Sequence, residues 1–307
     1  MRAANTIRSA AALAVAGLVS ACAWGGVLDF SAADAAFAYE TAAGLVSNCT
    51  PRNAGTPGAI RAAEWLARRA NAQGVKGVLD RFRANVYAER FDFANVVAEV
   101  RGTDPTAPWT ILISHFDTAP TAAKGFEGAN DGASTCGLLM SLARALVRAP
   151  RIRENVMFVW TDAEECRIAY MPRDGFQGSR RLLETVQAKG RSVKAVICLD
   201  MLGDRDLNIV IPANTTPFLR DLALRAARNA GVADKVACRD TIAVKDDHSA
   251  FYDAGYPAID LIDFEFGSAP GRNDYWHTPQ DTLDKISAKS LYDSGRLAAE
   301  LLNLLVR

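Results

Sequence analysis

The sequence predicts an α/β fold: a three-layer sandwich in which helices flank a mixed, largely parallel central sheet. Three observations predict it. Continuous apolar runs of strand length recur at Trp109–Ser114, Val156–Trp160, Val193–Leu199 and Ala258–Ile262, as expected of central strands covered on both faces. Between them lie longer stretches with apolar residues at helical spacing. The chain has 307 residues, half of them hydrophobic, enough for a large single core. Strands that alternate with helices build this layered architecture.

Taken in order, Ala33–Val46 reads as a helix and Cys49–Pro57 as a turn-rich loop. Gly58–Ala72 reads as a second helix with one apolar face. Phe93–Val100 alternates apolar and polar residues like a strand, and Trp109–Ser114 follows as a buried strand. Cys136–Val147 is helical, Val156–Trp160 a strand, Gly178–Ala188 a helix and Val193–Leu199 a strand. Leu207–Ile211 is a further strand, Thr216–Asn229 a helix, Ala258–Ile262 a strand and Ser287–Val306 a closing amphipathic helix. No fixed-period repeat is present.

The N-terminus reads as a targeting segment: Arg2 and Arg8, then an apolar run, Ser9–Val19, too short to span a bilayer comfortably. It ends in Val19-Ser20-Ala21-Cys22, which resembles the lipobox of bacterial lipoproteins; ordinary cleavage near Ala21 or further along is the alternative. Residues 1–22 are thus expected to be a signal peptide and 23–307 a single catalytic domain. The mature chain is expected outside the cytoplasm, periplasmic, secreted or anchored through a lipid on Cys22. Formal net charge is zero, so no basic surplus exists to attract nucleic acid. None of the six cysteines pair at C-x-x-C spacing, which leaves a structural zinc ribbon unsupported. An exported chain can carry disulfides, and the sequence does not pair them.

In sheets of this kind ligands sit beyond the C-terminal strand ends, and polar residues gather there. Trp109–Ser114 runs into His115-Phe116-Asp117. Gly128 to Ser134, with Asn130 and Asp131, precedes a helix. Val156–Trp160 runs into Thr161-Asp162-Ala163-Glu164-Glu165, Val193–Leu199 into Asp200, and the last strand leads to Tyr275-Trp276-His277-Thr278. The chain has only three histidines, His115, His248 and His277, all in polar clusters. Zinc favours imidazole nitrogen and carboxylate oxygen, with one position left open in a catalytic site. Each residue alone has an ordinary reading: a surface histidine, a solvated Glu164-Glu165 pair, or a helix cap at Asp131 or Ser134. Asp200, directly after an apolar run, is expected to be partly buried. The joint occurrence in this order carries the argument.

The order His-x-Asp, Asn-Asp, Glu-Glu, Asp-Met-x-Gly, Asp-His and Trp-His-Thr resembles metallopeptidase family 28. These are zinc exopeptidases that include bacterial leucyl aminopeptidases and animal-type glutaminyl-peptide cyclotransferases. The likeness runs from about Leu45 to Leu305. It implies a zinc aminopeptidase-like fold, and Asp131 as the carboxylate that bridges two metals in the aminopeptidases. Glu165, Asp200, His115 and His277 would be the remaining ligands, Glu164 the general base and Asp117 the group that orients His115.

Several positions are similar to the cyclotransferase branch: Asp162 to Cys166, Tyr170 to Asp174, Gly178-Ser179-Arg180, Asp246-Asp247-His248, and Trp276 before His277. In that branch one zinc is held by residues matching Asp131, Glu165 and His277. Asp200 and Asp246 then hydrogen-bond to the proton shuttle or the substrate, and Trp276 and Tyr170 bind the substrate side chain. Three positions depart from the animal enzymes. The Asn130–Ser134 loop is more peptidase-like, Tyr170 stands where they have Trp, and Cys136 faces Ser114 where they pair two cysteines.

The resemblance implies an enzyme acting on peptide or protein N-termini, first a glutaminyl-peptide cyclotransferase with one zinc. There the substrate's own α-amine closes on its side-chain amide and Glu164 carries the proton. The alternative is a two-zinc aminopeptidase in which Glu164 accepts the proton of the attacking water. A non-catalytic binding module on the same fold would have lost ligands, and all five positions hold ligand-competent residues. A serine or cysteine hydrolase is disfavoured: Gly178-Ser179-Arg180 is not a nucleophile elbow, and Cys166 and Cys198 have no spare histidine.

Overall fold

The structure is a computed structural model that describes residues 27–171 and 173–306. The expected targeting segment with Cys22, and Pro172 of the Tyr170–Asp174 run, lie outside the described residues. The helices are α1 Ala32–Cys49, α2 Pro57–Ala72, α3 Thr135–Arg148, α4 Gln177–Ala188, α5 Pro217–Ala230, α6 His248–Asp253 and α7 Ala288–Leu305. The strands are β1 Gly77–Val86, β2 Glu89–Val100, β3 Trp109–His115, β4 Asn155–Thr161, β5 Val193–Asp200, β6 Ile209–Pro212, β7 Val236–Arg239 and β8 Ala258–Ile262.

All eight strands join one sheet in the order β1-β2-β4-β3-β5-β8-β6-β7. The centre, β4-β3-β5-β8, is parallel. On one side β1 and β2 form an antiparallel hairpin paired antiparallel to β4. On the other, β6 runs antiparallel to β8 and parallel to β7. The expected mixed, largely parallel sheet is what the chain forms.

Pleating divides each central strand between two cores. From β3 and β4, Leu112, Val156, Phe158 and Trp160 enter the larger core, built with α1, α2, α3, α5 and α7. Ile111, Ile113, Met157 and Val159 enter the smaller one under α4 and α6, with Leu182, Val186 and Phe251. Each fully buried Ile or Phe stabilises by roughly 1.5–3 kcal/mol, so β3 and β4, buried along their whole length, anchor the molecule. Helix ends follow local chemistry. Ser31 and Asp34 form a reciprocal capping box on α1, Pro57 and Pro217 open α2 and α5, and Gly231 closes α5 in the left-handed region.

Three elements differ from the sequence reading. β1 was not anticipated: it is an edge strand rich in charge, and its pattern lacks an apolar run. β7 and α6 are too short, at 4 and 6 residues, for periodicity to register. None of the cysteines among the described residues forms a disulfide. Cys136 Sγ donates instead to His115 O at 3.0 Å, with Ser114 Oγ 3.7 Å from the sulfur.

Candidate metal centre and substrate pocket

The C-terminal ends of β3, β4 and β5 deliver His115, the Asp162–Glu165 turn and Asp200 to one place. Asp131 arrives from the kinked segment Ala129–Ser134 that leads into α3. It does not cap the helix: its backbone is extended rather than helical (φ −79°, ψ 95°). Its side chain has His115 Nε2 3.1 Å from Oδ1 and His277 Nε2 3.3 Å from Oδ2. Gly132, at φ +89°, allows that geometry; a Cβ there would lie 3.0 Å from the His115 ring. Ser134 bonds back to Asn130 O.

Two sets of donor atoms converge, each within 4.8 Å: His115, Asp131 and Asp200; and Asp131, Glu165 and His277. His115 Nε2 also lies 3.2 Å from Asp200 Oδ1, and His277 Nε2 2.9 Å from Glu165 Oε1. Each imidazole nitrogen therefore faces two carboxylates, which one N–H serves poorly and one cation serves well. Asp131 Oδ2 is buried without a hydrogen-bond partner. This donor set fits zinc, and Asp131 turns one oxygen to each group.

The electrostatics follow from crowding. Burial opposes charge on His115, but the carboxylates of Asp117, Asp131 and Asp200 outweigh it and hold the imidazole well above its ordinary pKa. His277 is pushed up to about 10 by Asp131 and Glu165 against the cost of burial. Asp131 is held below the usual carboxylate range because its two imidazoles overcome burial. Burial and the neighbouring Glu165 push Glu164 well up; burial and Asp131 raise Glu165. Asp200 is raised by burial, which its His115 contact offsets only in part.

Asp117 stands beside His115, the residue the resemblance has it orient, with Oδ1 3.7 Å from His115 Nδ1. Its two oxygens also accept the backbone N–H groups of Glu164 at 3.1 Å and Glu165 at 3.2 Å. The preceding residue, Ala163, is in the left-handed region, as are Met201 after Asp200 and His277 itself. Non-glycine residues there cost about 1–2 kcal/mol each, and here they concentrate at the site.

A cavity of about 450 Å³ opens onto this centre. Asp131, Glu164, Glu165, Asp200 and Asp246 form its acidic part, and Val244, Phe264 and Trp276 are among its apolar walls. Trp276 stacks on His277 (centroids 3.9 Å apart, planes at 25°) and leans on Phe264 at 5.4 Å. Tyr170 also lines the cavity, with its hydroxyl 2.8 Å from Glu165 Oε2 and 3.4 Å from Glu164 Oε2. His248, by contrast, is buried at the start of α6 against Asn214 and Asp260, outside both donor sets. The thiols offer no nucleophile: burial, then Glu165, pushes Cys166 up to about 11, and burial and Asp246 raise Cys198 well above its ordinary value.

Sequence reasoning missed two residues that hold the site, Asp281 and Arg52, and quoted Asp174 only as the end of the Tyr170–Asp174 run, without its role. Asp281 accepts from the backbone N–H of Asn130 and Asp131. Asp174 accepts from the N–H groups of Arg167, Ile168 and Ala169 and so shapes the loop that carries Tyr170. Arg52, fully buried, donates to backbone carbonyls. All three act on backbone groups, and for Arg52 and Asp281 that recognition leaves no spacing motif.

A buried carboxylate–imidazole cluster at the C-terminal edge of a parallel sheet, with a partly apolar pocket over it, is a site whose donors fit a metal ion. The sequence matches peptidase family M28 over residues 95–302, and the chain belongs to that family. It is similar to a solved glutaminyl cyclase from an Acidobacteriales bacterium, with 33% identity and a TM-score of 0.81 over 89% of this chain and 94% of that one. A glutaminyl-peptide cyclotransferase-like protein of Bos taurus is 26% identical over 281 residues, 82% of this chain and 71% of the relative. The fold is shared with a leucine aminopeptidase precursor from Bacteroides thetaiotaomicron, at 23% identity and a TM-score of 0.76 over 90% and 99% of the two chains.

Proposed function

We propose that this enzyme acts on peptide N-termini as a glutaminyl-peptide cyclotransferase, converting N-terminal Gln to pyroglutamate with release of ammonia. The observation that carries the reading is the pocket itself. A small cavity with an aromatic wall, Trp276 and Phe264, ends on Glu164 and the Asp131–Glu165–His277 donor set. The 33% identity to a glutaminyl cyclase across nearly its whole length supports it.

Asp131, Glu165 and His277 would hold zinc, which supplies Lewis-acid polarisation of the substrate's side-chain carbonyl when bound. Trp276, Phe264 and Val244 wall the substrate side chain and exclude water. The α-amine nitrogen forms the new bond to the side-chain carbonyl carbon, and the bond from that carbon to the amide nitrogen breaks. Glu164 accepts the proton the amine gives up and returns it to the departing nitrogen, which leaves as ammonia. Burial and the charge of Glu165 raise Glu164, which brings a carboxylate closer to the proton affinity that such a shuttle needs. Asp117 fixes the Glu164–Glu165 turn, and the Tyr170 hydroxyl orients Glu165. Export through residues 1–22, with or without a lipid on Cys22, is part of this proposal.

The second donor set, His115, Asp131 and Asp200, favours the two-zinc aminopeptidase as the other reading. The zinc-loaded protein, given one peptide that begins with Gln and a matched one that begins with Leu, separates them by mass. We expect loss of ammonia from the Gln peptide and an intact Leu peptide. Release of the first residue would replace the proposal with the aminopeptidase, and no change in either would overturn both.

A further inference from the structure

Among the described residues Arg52 is the one arginine or lysine that is fully buried, and no carboxylate pairs with it. Its guanidinium is spent on main-chain carbonyls: Nε donates to Phe116 O at 2.5 Å, Nη1 to Glu127 O at 2.7 Å and Nη2 to Gly128 O at 2.6 Å. Phe116 lies between His115 and Asp117; Glu127 and Gly128 lead into Asp131. The backbone around Arg52 grips the same strand end, with Thr118 N donating to Arg52 O at 3.2 Å and Thr118 Oγ1 to Asn53 Oδ1 at 2.8 Å. Gly128 sits at φ +61°, where a Cβ would come within 2.8 Å of Nη2, so the loop packs directly on the guanidinium. From the other side Asp281 takes the N–H groups of Asn130 at 2.7 Å and Asp131 at 3.1 Å. Guanidinium and carboxylate thus hold successive parts of one loop, Arg52 through its carbonyls and Asp281 through its amides.

We propose that Arg52 and Asp281 are positioning residues: a buried clamp that sets Asp131, the carboxylate common to both donor sets, against His115. The physical basis is the fork. A planar guanidinium with fixed N–H directions ties three carbonyls from two loops into one geometry, which a lysine ammonium on a flexible stem does not reproduce. The inference rests on the metal-centre reading of the preceding section and is independent of which reaction the centre performs.

The test uses the full protein with Co²⁺ as the metal probe, since its visible absorption reports ligand geometry. Arg52→Lys keeps the charge and loses the fork; Asp281→Asn keeps one acceptor and loses the charge. We expect Arg52→Lys to bind Co²⁺ roughly 10- to 100-fold more weakly, with an altered absorption band and a lower kcat at nearly unchanged KM. Asp281→Asn is expected to move the same readouts in the same direction, and it carries the test should Arg52→Lys not fold. A folded variant of either residue with wild-type Co²⁺ affinity and spectrum overturns the clamp, whatever its melting temperature. Wild-type protein that takes up no Co²⁺ overturns the metal-centre reading and the clamp with it.

Discussion

Two neighbouring clusters of buried carboxylates, one at the candidate metal centre and one that runs from the cavity wall at Asp246 to Asp260 within β8, solve the same problem differently. The first cluster, Asp131, Glu165 and Asp200, faces two imidazoles. The second cluster, Asp246, Asp247 and Asp260, has Cys198 and His248 for company. In the first, Asp131 is held ionised by His115 and His277. In the second, burial and then neighbouring carboxylates push Asp246 and Asp247 up to about 7 and Asp260 well above its ordinary value.

His248 does not rescue the second group. The Asn214 amide is fixed by Val244, and its Nδ2–H points at His248 Nε2, 2.8 Å away. The ring's proton is therefore on Nδ1, 3.9 Å from Asp260 Oδ2. Both Asp260 oxygens, Asp246 Oδ2 and Asp247 Oδ1 lack partners. The comparison teaches that two facing imidazoles keep the buried Asp131 charged, whereas buried carboxylates that face one imidazole or none are pushed toward holding protons.

The largest effect that would break this picture is at Glu164, to which the proposed mechanism gives the proton and which is in neither donor set. Glu164→Gln should lower kcat by roughly 10²- to 10⁴-fold with zinc content unchanged by metal analysis. Wild-type turnover would remove Glu164 as the proton carrier.

The same substitution placed in each cluster sharpens the contrast. Asp131→Asn should cost the protein its zinc, since both donor sets lose a member. Asp260→Asn should leave zinc content intact and stabilise the metal-free protein at pH 8. Asp260 has a raised folded-state pKa, so its stabilisation is full below the unfolded value near ~4 and is lost as pH rises through the folded one. An amide removes that loss. Melting temperatures at pH 5 and pH 8 measure it, and a lower melting temperature for Asp260→Asn at pH 8 would show that the second cluster holds a charge after all.

The smallest effect is at His248, whose pKa burial depresses to about 4. Its neutral form is favoured in the fold, so stability is intact above the unfolded value near ~6.5 and falls as pH drops toward 4. The loss is about 1–3 kcal/mol, and His248→Gln should flatten that acid limb in urea titrations between pH 4 and pH 7. An unchanged limb would place the proton uptake elsewhere.

What was legible in the sequence was set by how each residue does its work. β3, β4, β5 and β8 announced themselves because both faces are covered and the runs are continuously apolar. The site residues His115, Asp131, Glu164, Glu165, Asp200 and His277 were visible because each follows or flanks such a run and carries distinctive chemistry. β1 was not, since an edge strand with Asp80, Arg81 and Arg83 exposes its charge to water. Arg52 and Asp281 were not, because their partners are main-chain groups brought close by the fold, and Arg52 reaches across 64 residues to Phe116. Asp117 was found beside His115, but its hold on the Glu164–Glu165 turn, again through main-chain groups, was not legible.

Trp276 lies nearly face to face with His277, at 3.9 Å between ring centres. An excited indole that close loses emission to the imidazole according to the charge the imidazole carries. Among the described residues, Trp276 is the one tryptophan that lines this pocket. Its fluorescence therefore tracks what His277 holds, and the filling and emptying of the centre can be followed optically in the unlabelled protein.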